Sequence, residues 1–407
     1  MSPYMSEPGL RARPPSFCQE LSSVESRGTL ERKVLLLFSD TGGGHRSVAE
    51  ALAEAFGRQA PSTRVILLDL LRACTHFPLN QAGQIYQFMV QRAPVLWRAL
   101  WRLGEDAGRL ALMMRLCTPL IGPVRTCLRE QSPDLVISVH GLLNHVPLRI
   151  LREVGNPAPF VTVVTDWVTV HQAWLCAEVD LCVVPSEPAA RRAEAIGIPP
   201  HRLRVVGMPV SSRFRPLEQD AKRPLRGRLG LDPDRPAVLL AGGGGGIGSL
   251  ERIATSIAHA MAELGLGQLI IICGRNEPLR RRLAGRRWPL PVVVQGFVTD
   301  MPDWMGCADL IITKAGPSTI AEALAAGVPM ILYGFITGQE EGNVPYVVDH
   351  GAGVYVTDPA DIARTVTEWL RPGNPHLAAM AERARGLGRP AAADDVVAEV
   401  LQLLPIR

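Results

Sequence analysis

The chain has 407 residues, 47% of them hydrophobic, and a net charge of +4. That length supports two domains with full cores, and so small a charge gives no reason to expect nucleic acid as a partner. The eight cysteines are scattered without a C-x-x-C pair, which argues against a zinc ribbon or a disulfide framework and fits a reducing compartment. Of the 43 basic residues only Lys33, Lys222 and Lys314 are lysine, a bias of composition that cannot be assigned to a site.

Residues 1–32 are polar, carry prolines and serines, and read as a disordered leader without a signal peptide. Short apolar runs then alternate with helical stretches. The first-half strands are predicted at Lys33–Phe38, Arg64–Asp69, Asp134–Val139, Pro159–Val164, Asp180–Val184 and Leu203–Val206. The second-half strands are predicted at Ala237–Ala241, Gln268–Cys273, Pro291–Phe297, Asp309–Thr313, Pro329–Leu332 and Gly353–Val356. Runs that are apolar on consecutive positions suit strands buried on both faces of a parallel sheet. The alternation with helices predicts an α/β chain of two Rossmann-like, doubly wound domains facing a cleft. Residues 33–208 form the first and 237–407 the second, with the proline-rich stretch 209–236 as the linker.

Residues 70–130 break this rhythm. They contain no clear strand, carry Trp97 and Trp101, and include arginines at 92, 98, 102, 109 and 115. Such a basic, Trp-bearing amphipathic insertion can lie in a lipid interface, with Trp97, Trp101, Arg98 and Arg102 as contacts. Two ordinary helices with solvated arginines would look the same. No uncharged apolar run reaches the roughly 18 residues a membrane span needs, so the expected relation to a membrane is peripheral.

Four loops at strand–helix joints carry the candidate chemistry. The first is Ser39–Arg46 (SDTGGGHR), whose glycines let a ligand approach the backbone and leave helix N-terminal amides free for an anion. His45 stands at the helix start, where it can take a proton from an attacking hydroxyl or merely cap the helix. The second is the glycine run 242–248, in which no Lys-Ser/Thr follows for a Walker loop and no ribose-binding acid follows the next strand for NAD. A phosphate cradle remains, or a flexible turn. The third is Thr313–Ala323 (TKAGPSTIAEA), where Ser318 and Thr319 can donate to phosphate and Glu322 can accept both hydroxyls of a ribose or simply complement the helix dipole. The fourth, Gly338–Asn343, brings Gln339, Glu340 and Asn343, which suit sugar hydroxyls and are equally common on surface loops. His140, Asp166, Trp167 and His171 follow strand ends of the first domain, where they can shape an acceptor pocket or serve packing. The triplet Asp232-Pro233-Asp234 matches the D-x-D metal pattern, but its place in the linker makes it a chance match, and no other carboxylate cluster predicts a metal.

These strings together resemble the monogalactosyldiacylglycerol synthases, in the glycosyltransferase group that also holds the peptidoglycan lipid N-acetylglucosaminyltransferases. The resemblance covers about residues 33 to 356 and rests on SDTGGGHR, Ser138-Val139-His140 with His145–Arg149, Val163–Asp166, TKAGPSTIAEA and Gly338–Val348. It implies a GT-B fold, with the acceptor domain first, the UDP-sugar domain second, and a last helix that packs back on the first. It implies inverting transfer from UDP-galactose to the 3-hydroxyl of 1,2-diacylglycerol, with no metal or other cofactor. His45 is then the base on the glycerol hydroxyl. Gly43, Gly44, Gly244, Gly246, Gly316, Ser318 and Thr319 hold the diphosphate, Phe297 and Val298 read the uracil, and Glu322 holds the ribose. Gln339, Glu340 and Asn343 face the sugar. The insertion corresponds to the part thought to meet lipid, which implies a peripheral, monotopic protein on the cytoplasmic side of a membrane with anionic lipids as possible partners. The chain departs from the family at Gly245, where an acid is usual, and at Ser318, where glycine is frequent. Transfer of glucose instead, or a non-catalytic UDP-sugar sensor, are the alternatives.

Overall fold

The computed structural model describes residues 18–21, 32–41, 43–117, 121–243 and 249–404. Its frame is two sheets. The first consists of β1 (Cys18–Leu21), β2 (Lys33–Phe38), β3 (Arg64–Asp69), β4 (Leu135–Ser138), β5 (Phe160–Val163), β6 (Leu181–Val184) and β7 (Leu203–Val205), in the order β1-β3-β2-β4-β5-β6-β7. The second consists of β8 (Ala237–Ala241), β9 (Gln268–Ile272), β10 (Val292–Gln295), β11 (Leu310–Thr313), β12 (Met330–Leu332) and β13 (Gly353–Tyr355), in the order β10-β9-β8-β11-β12-β13. All pairings are parallel except β1 with β3. The twelve predicted strands are all present, most of them shortened by a residue or two at their ends. β1 is the correction: four residues of the expected disordered leader add an antiparallel edge strand, with Cys18 opposite Leu68.

The consecutive apolar positions arise because both faces are covered. Val34, Leu36 and Phe38 of β2 enter one core cluster, and Leu35 and Leu37 enter another on the opposite face. In β8, Leu239 and Ala241 divide from Val238 and Leu240 in the same way. The cluster holding Val34 and Leu36 also holds Leu239 and Ile311, so one apolar core runs from the first sheet into the second.

Eight helices matter for the site: α1 (Gly44–Gln59), α2 (Ala82–Arg92), α3 (Pro94–Gly104), α4 (Ala107–Leu116), α5 (Gly122–Gln131), α6 (Pro317–Ala326), α7 (Asn343–Asp349) and α8 (Ala392–Leu401). The last, α8, crosses back to the first domain. Its Asp394 carboxylate accepts from Arg58 Nη2 at 2.8 Å, its Asp394 carbonyl accepts from Gln59 Nε2 at 2.8 Å, and Glu399 meets Arg204 at 3.2 Å. The insertion is α2 to α5, with few buried residues in α2, α3 and α4. Among the described residues no helix is long and apolar enough to cross a membrane.

The 209–236 stretch is more than a linker. It contains the helix Gln219–Arg228, docked on the second domain through Arg226. Arg226 Nη2 donates to Asp309 Oδ2 at 2.7 Å, and the same carboxylate accepts the Ala237 amide that opens β8 at 2.8 Å. The Arg226 side chain is only 4% exposed. Removing one partner of such a pair strands the other charge without water. Asp309→Ala is therefore expected to cost about 3–5 kcal/mol in urea unfolding; a loss under about 1 kcal/mol would show that the pair does not hold this helix to the sheet.

Candidate active site

In open α/β sheets, ligands bind outside the carboxyl ends of strands where the strand order reverses. Here the reversals lie between β2 and β4 and between β8 and β11, and the loops after β2, β8 and β11 face one another. They enclose a cleft of about 780 Å³ lined by both domains.

Two helices begin in this cleft. Gly43, at φ 89°, turns the chain from β2 into α1, a left-handed conformation that glycine adopts without cost. Helix α6 starts differently from β11: Gly316 is extended, at φ -69°, and Pro317 fills the first helical position. The two N-termini are close: a Cβ added to Gly44 would lie 2.6 Å from Ser318 Oγ. Free amides and the positive ends of two helix dipoles thus converge on one point, an arrangement suited to a diphosphate. Thr319 and Lys314 line the same region. Gly244 and Gly246 lie outside the described residues.

His45 lines the cleft in the first turn of α1. Its Nδ1 lies 2.9 Å from the Val139 carbonyl and 3.0 Å from Thr165 Oγ1. A carbonyl only accepts, so Nδ1 carries the proton and Nε2 carries a lone pair. Among the described residues no side chain or backbone group partners Nε2. Burial lowers the pKa to about 4, against the opposing pull of the Val139 carbonyl and Asp40. The ring is therefore neutral at neutral pH, the form a base requires.

Behind it stands His140, its ring centroid 4.4 Å from that of His45. Its Nδ1 accepts the Leu142 amide at 3.2 Å, which leaves the Nε2 proton for Thr41 Oγ1 at 3.0 Å. His140 is thus a buried support and not part of the cleft wall. Asp166 is on the wall, 3% exposed. Burial pushes its carboxyl up to about 7, although Trp174 Nε1 and Gln339 Nε2 both donate to it, at 2.7 Å and 3.3 Å. Glu322 lines the cleft one turn into α6, where burial pushes its carboxyl up to about 8. Phe297 and Val298 are also on the wall, with the Arg275 guanidinium 4.7 Å from the Phe297 ring centroid. Gln339 and Glu340 face the cleft from the loop before α7, and Glu340 Oε2 accepts the Ile336 amide at 2.7 Å.

Several expected site residues lie elsewhere. Asn343 is buried behind the loop, where its Nδ2 holds the Ala315 carbonyl at 2.9 Å, so it braces the start of α6 and does not face a sugar. Trp167 is core, packed on Tyr346 with ring centroids 5.6 Å apart. His171 donates from Nε2 to the Trp101 carbonyl at 3.1 Å and so ties α3 to the first domain. Trp97 and Trp101 are not the outward face of the insertion. Trp97 packs on Tyr86 at 5.0 Å and Trp101 on His171 at 4.5 Å, because positions 97, 100, 101 and 104 form the helix face turned towards the protein. Arg98 and Arg102 are exposed as expected.

The sequence reading missed Tyr86, Arg275 and Lys314 as residues of the cleft. Lys314 had a signal, being one of three lysines in a chain that otherwise uses arginine. Among the described residues no three His, Cys, Asp or Glu side chains gather as a metal site. Asp232 and Asp234 are paired with Arg235 and Arg223, at 3.2 Å and 2.7 Å, away from the cleft.

The Gly44–Ser318 contact makes a specific demand. Gly44→Ala should turn the Ser318 hydroxyl out of its place and weaken UDP binding by about tenfold, the worth of one hydrogen bond to a charged group. Adding Ser318→Gly should then cost little more in a titration of UDP. An alanine variant that binds UDP normally would show that the place of this hydroxyl does not matter to the ligand.

Comparison with known proteins agrees with this geometry. Residues 45–210 match the family described as monogalactosyldiacylglycerol (MGDG) synthase, and residues 237–396 match the glycosyltransferase family 28 C-terminal domain. Monogalactosyldiacylglycerol synthase 3, chloroplastic, of Arabidopsis thaliana is 40% identical, over 99% of this chain and 88% of its own. A probable monogalactosyldiacylglycerol synthase 3 of Oryza sativa subsp. japonica is 41% identical, over 93% of this chain and 78% of its own. The crystal structure of Acinetobacter baumannii MurG has the same GT-B fold, with a TM-score of 0.57 at 17% identity, covering 91% of this chain and 99% of that one. The chain belongs to the monogalactosyldiacylglycerol synthase family of glycosyltransferases.

Proposed function

We propose that the protein transfers galactose from UDP-galactose to the 3-hydroxyl of 1,2-diacylglycerol, with inversion, to make monogalactosyldiacylglycerol. The observation that carries this reading is the tautomer of His45. With Nδ1–H committed to the Val139 carbonyl, Nε2 is the atom that can take the glycerol proton. The hydroxyl oxygen attacks C1 of the sugar from the face opposite the diphosphate. The new C1–O bond forms as the bond from C1 to the UDP oxygen breaks, and the leaving charge falls at the N-termini of α1 and α6. Lys314 adds a full positive charge there. Glu322 holds the ribose, Phe297 and Val298 read the uracil, and Gln339 and Glu340 face the galactose. This scheme assigns no step to a metal or other cofactor.

The acceptor is held in a bilayer, and the surface of the insertion supports a peripheral seat on one. Phe88 is 63% exposed, Val95 83%, Leu96 54%, Leu112 58% and Leu116 71%. Arg92, Arg98, Arg102, Arg109 and Arg115, on the same helices, are exposed as well. Helices that expose both apolar side chains and arginines suit an interface with anionic lipid. Cys74, Cys117, Cys127, Cys176, Cys182, Cys273 and Cys307 are thiols, not disulfides, in keeping with the cytoplasmic side of the membrane.

Labelled UDP-galactose and UDP-glucose, offered separately with diacylglycerol in mixed micelles, test the reaction. A β-galactosyl lipid is expected, formed equally in EDTA; a glucosyl lipid alone would overturn the donor. In the same assay His45→Ala should lower turnover at least about 100-fold, as for a lost general base, with UDP affinity nearly unchanged. Near-normal turnover would remove His45 from the mechanism.

The membrane seat has its own test. The Phe88→Ser/Leu96→Ser double variant should bind anionic vesicles at least about tenfold more weakly, since each side chain is worth roughly 1.5–3 kcal/mol when buried. Sedimentation with vesicles that matched the wild type would place the lipid contact elsewhere.

A further inference from the structure

The insertion does more than present an outer surface, because its inner face reaches the donor half of the cleft. Helix α2 exposes Phe88 on one side and lines the cleft with Tyr86 and Gln87 on the other. The Tyr86 hydroxyl donates to Gln339 Oε1 at 3.0 Å. The other end of the same amide, Nε2, donates to Asp166 Oδ1 at 3.3 Å. Helix α3 touches the neighbouring residue as well. Gly338, at φ +89°, has Trp101 Cδ1 3.0 Å from where a Cβ would stand. A bulkier residue at 338 would be strained in backbone and blocked by the indole. Thus the loop that carries Gln339 belongs to the second domain by sequence but is held by groups of the first.

A primary amide can face a sugar in two ways that differ by a flip, with donor and acceptor exchanged. An ionised carboxylate only accepts, so Asp166 takes the Nε2 end of the amide, and Oε1 is left for the Tyr86 hydroxyl to donate to; the hydroxyl could pair with either end, and it is the two contacts together that set one orientation. The carboxylate is itself held by Trp174 Nε1 at 2.7 Å, and the Trp174 ring lies 5.9 Å from that of His45. The chain of contacts therefore runs from the general-base wall, through Trp174 and Asp166, to Gln339 and out to helix α2.

We propose that Tyr86 is a positioning residue for donor recognition: the lipid-facing insertion, through the Tyr86 hydroxyl, completes the donor-sugar site by fixing the amide of Gln339. This rests on the reading of Gln339 as a sugar-facing residue. It makes the insertion and the donor loop one unit, so that helices seated on the acceptor's bilayer also set the geometry in which the donor's sugar is read. Sugar recognition is then sensitive to a residue that by sequence belongs to the acceptor side.

Tyr86→Phe removes the hydroxyl and keeps the ring that packs on Trp97. We expect it to weaken binding of UDP-galactose by roughly three- to tenfold, one neutral hydrogen bond, while the Kd for UDP is unchanged, both read by calorimetry on the full chain. In a Gln339→Ala background the same substitution should have no further effect. Equal weakening of UDP and UDP-galactose would mean a merely structural role, and additive losses would mean that Tyr86 acts apart from Gln339; either overturns the proposal, as does no loss at all. The binding split needs no turnover. A wild-type protein that makes no galactolipid would therefore defeat the proposed reaction while the calorimetry still decides Tyr86, with UDP-glucose as the second probe.

Discussion

Two helix N-termini held a side chain apart are the constraint on which the rest of this molecule depends. Helix α1 belongs to the first sheet and α6 to the second, yet Gly44 and Ser318 are so close that a single Cβ would collide. Such proximity requires the domains to be fixed relative to each other. Three features do this. One apolar core runs through both sheets. Helix α8 returns to pack on the first domain through Asp394 and Glu399. The helix Gln219–Arg228 turns part of the connecting stretch into a docked element. Without these, the converging amides would be two separate weak anion sites. Together they form one positive point of a size suited to a diphosphate, because the dipole effect fades within the first turn of a helix and only converging ends can add.

Much of this was legible in the sequence, for physical reasons. A strand buried on both faces must be apolar at consecutive positions, and a parallel strand needs a crossover, so the twelve parallel strands announce themselves. Glycines at the joints mark where backbone must be approached closely, and Gly43, Gly44 and Gly316 do stand at the cleft. What the sequence could not show was orientation. Trp97 and Trp101 share a helix face with Leu100 and Gly104, and periodicity reveals that they share it. It does not say whether that face meets lipid or protein. The structure turns it towards Tyr86 and His171, leaving Val95, Leu96 and Leu103 outward. Asn343 and Trp167 failed similarly. Each is within a few residues of a cleft residue, but one step along a loop or helix was enough to point it into the core.

Tyr86 shows a different limit. It lies some 250 positions from Gln339 and has no motif around it. Its importance comes from a contact between an insertion and a loop of the other domain, which only the folded chain creates. Residues that read a ligand directly tend to sit in recognisable strings. Residues that orient those readers can come from anywhere the fold brings near.

The protonation states of the cleft follow from one cause acting in two directions. Burial disfavours charge, so it lowers the imidazole of His45 to about 4 and raises the carboxyls of Asp166 to about 7 and Glu322 to about 8. For His45 the outcome is an imidazole that is neutral at neutral pH, and in the proposed reaction a weak base. That weakness is tolerable in a displacement where the hydroxyl becomes acidic only as its oxygen bonds to C1, since the base then has to act in the transition state and not before it. In the proposed reaction the same partly buried surroundings that keep the imidazole neutral would also strengthen the pull of the helix amides and Lys314 on the departing diphosphate, because charges interact more strongly as water is displaced. In that reaction burial at this cleft serves base and leaving group together, through residues contributed by opposite domains.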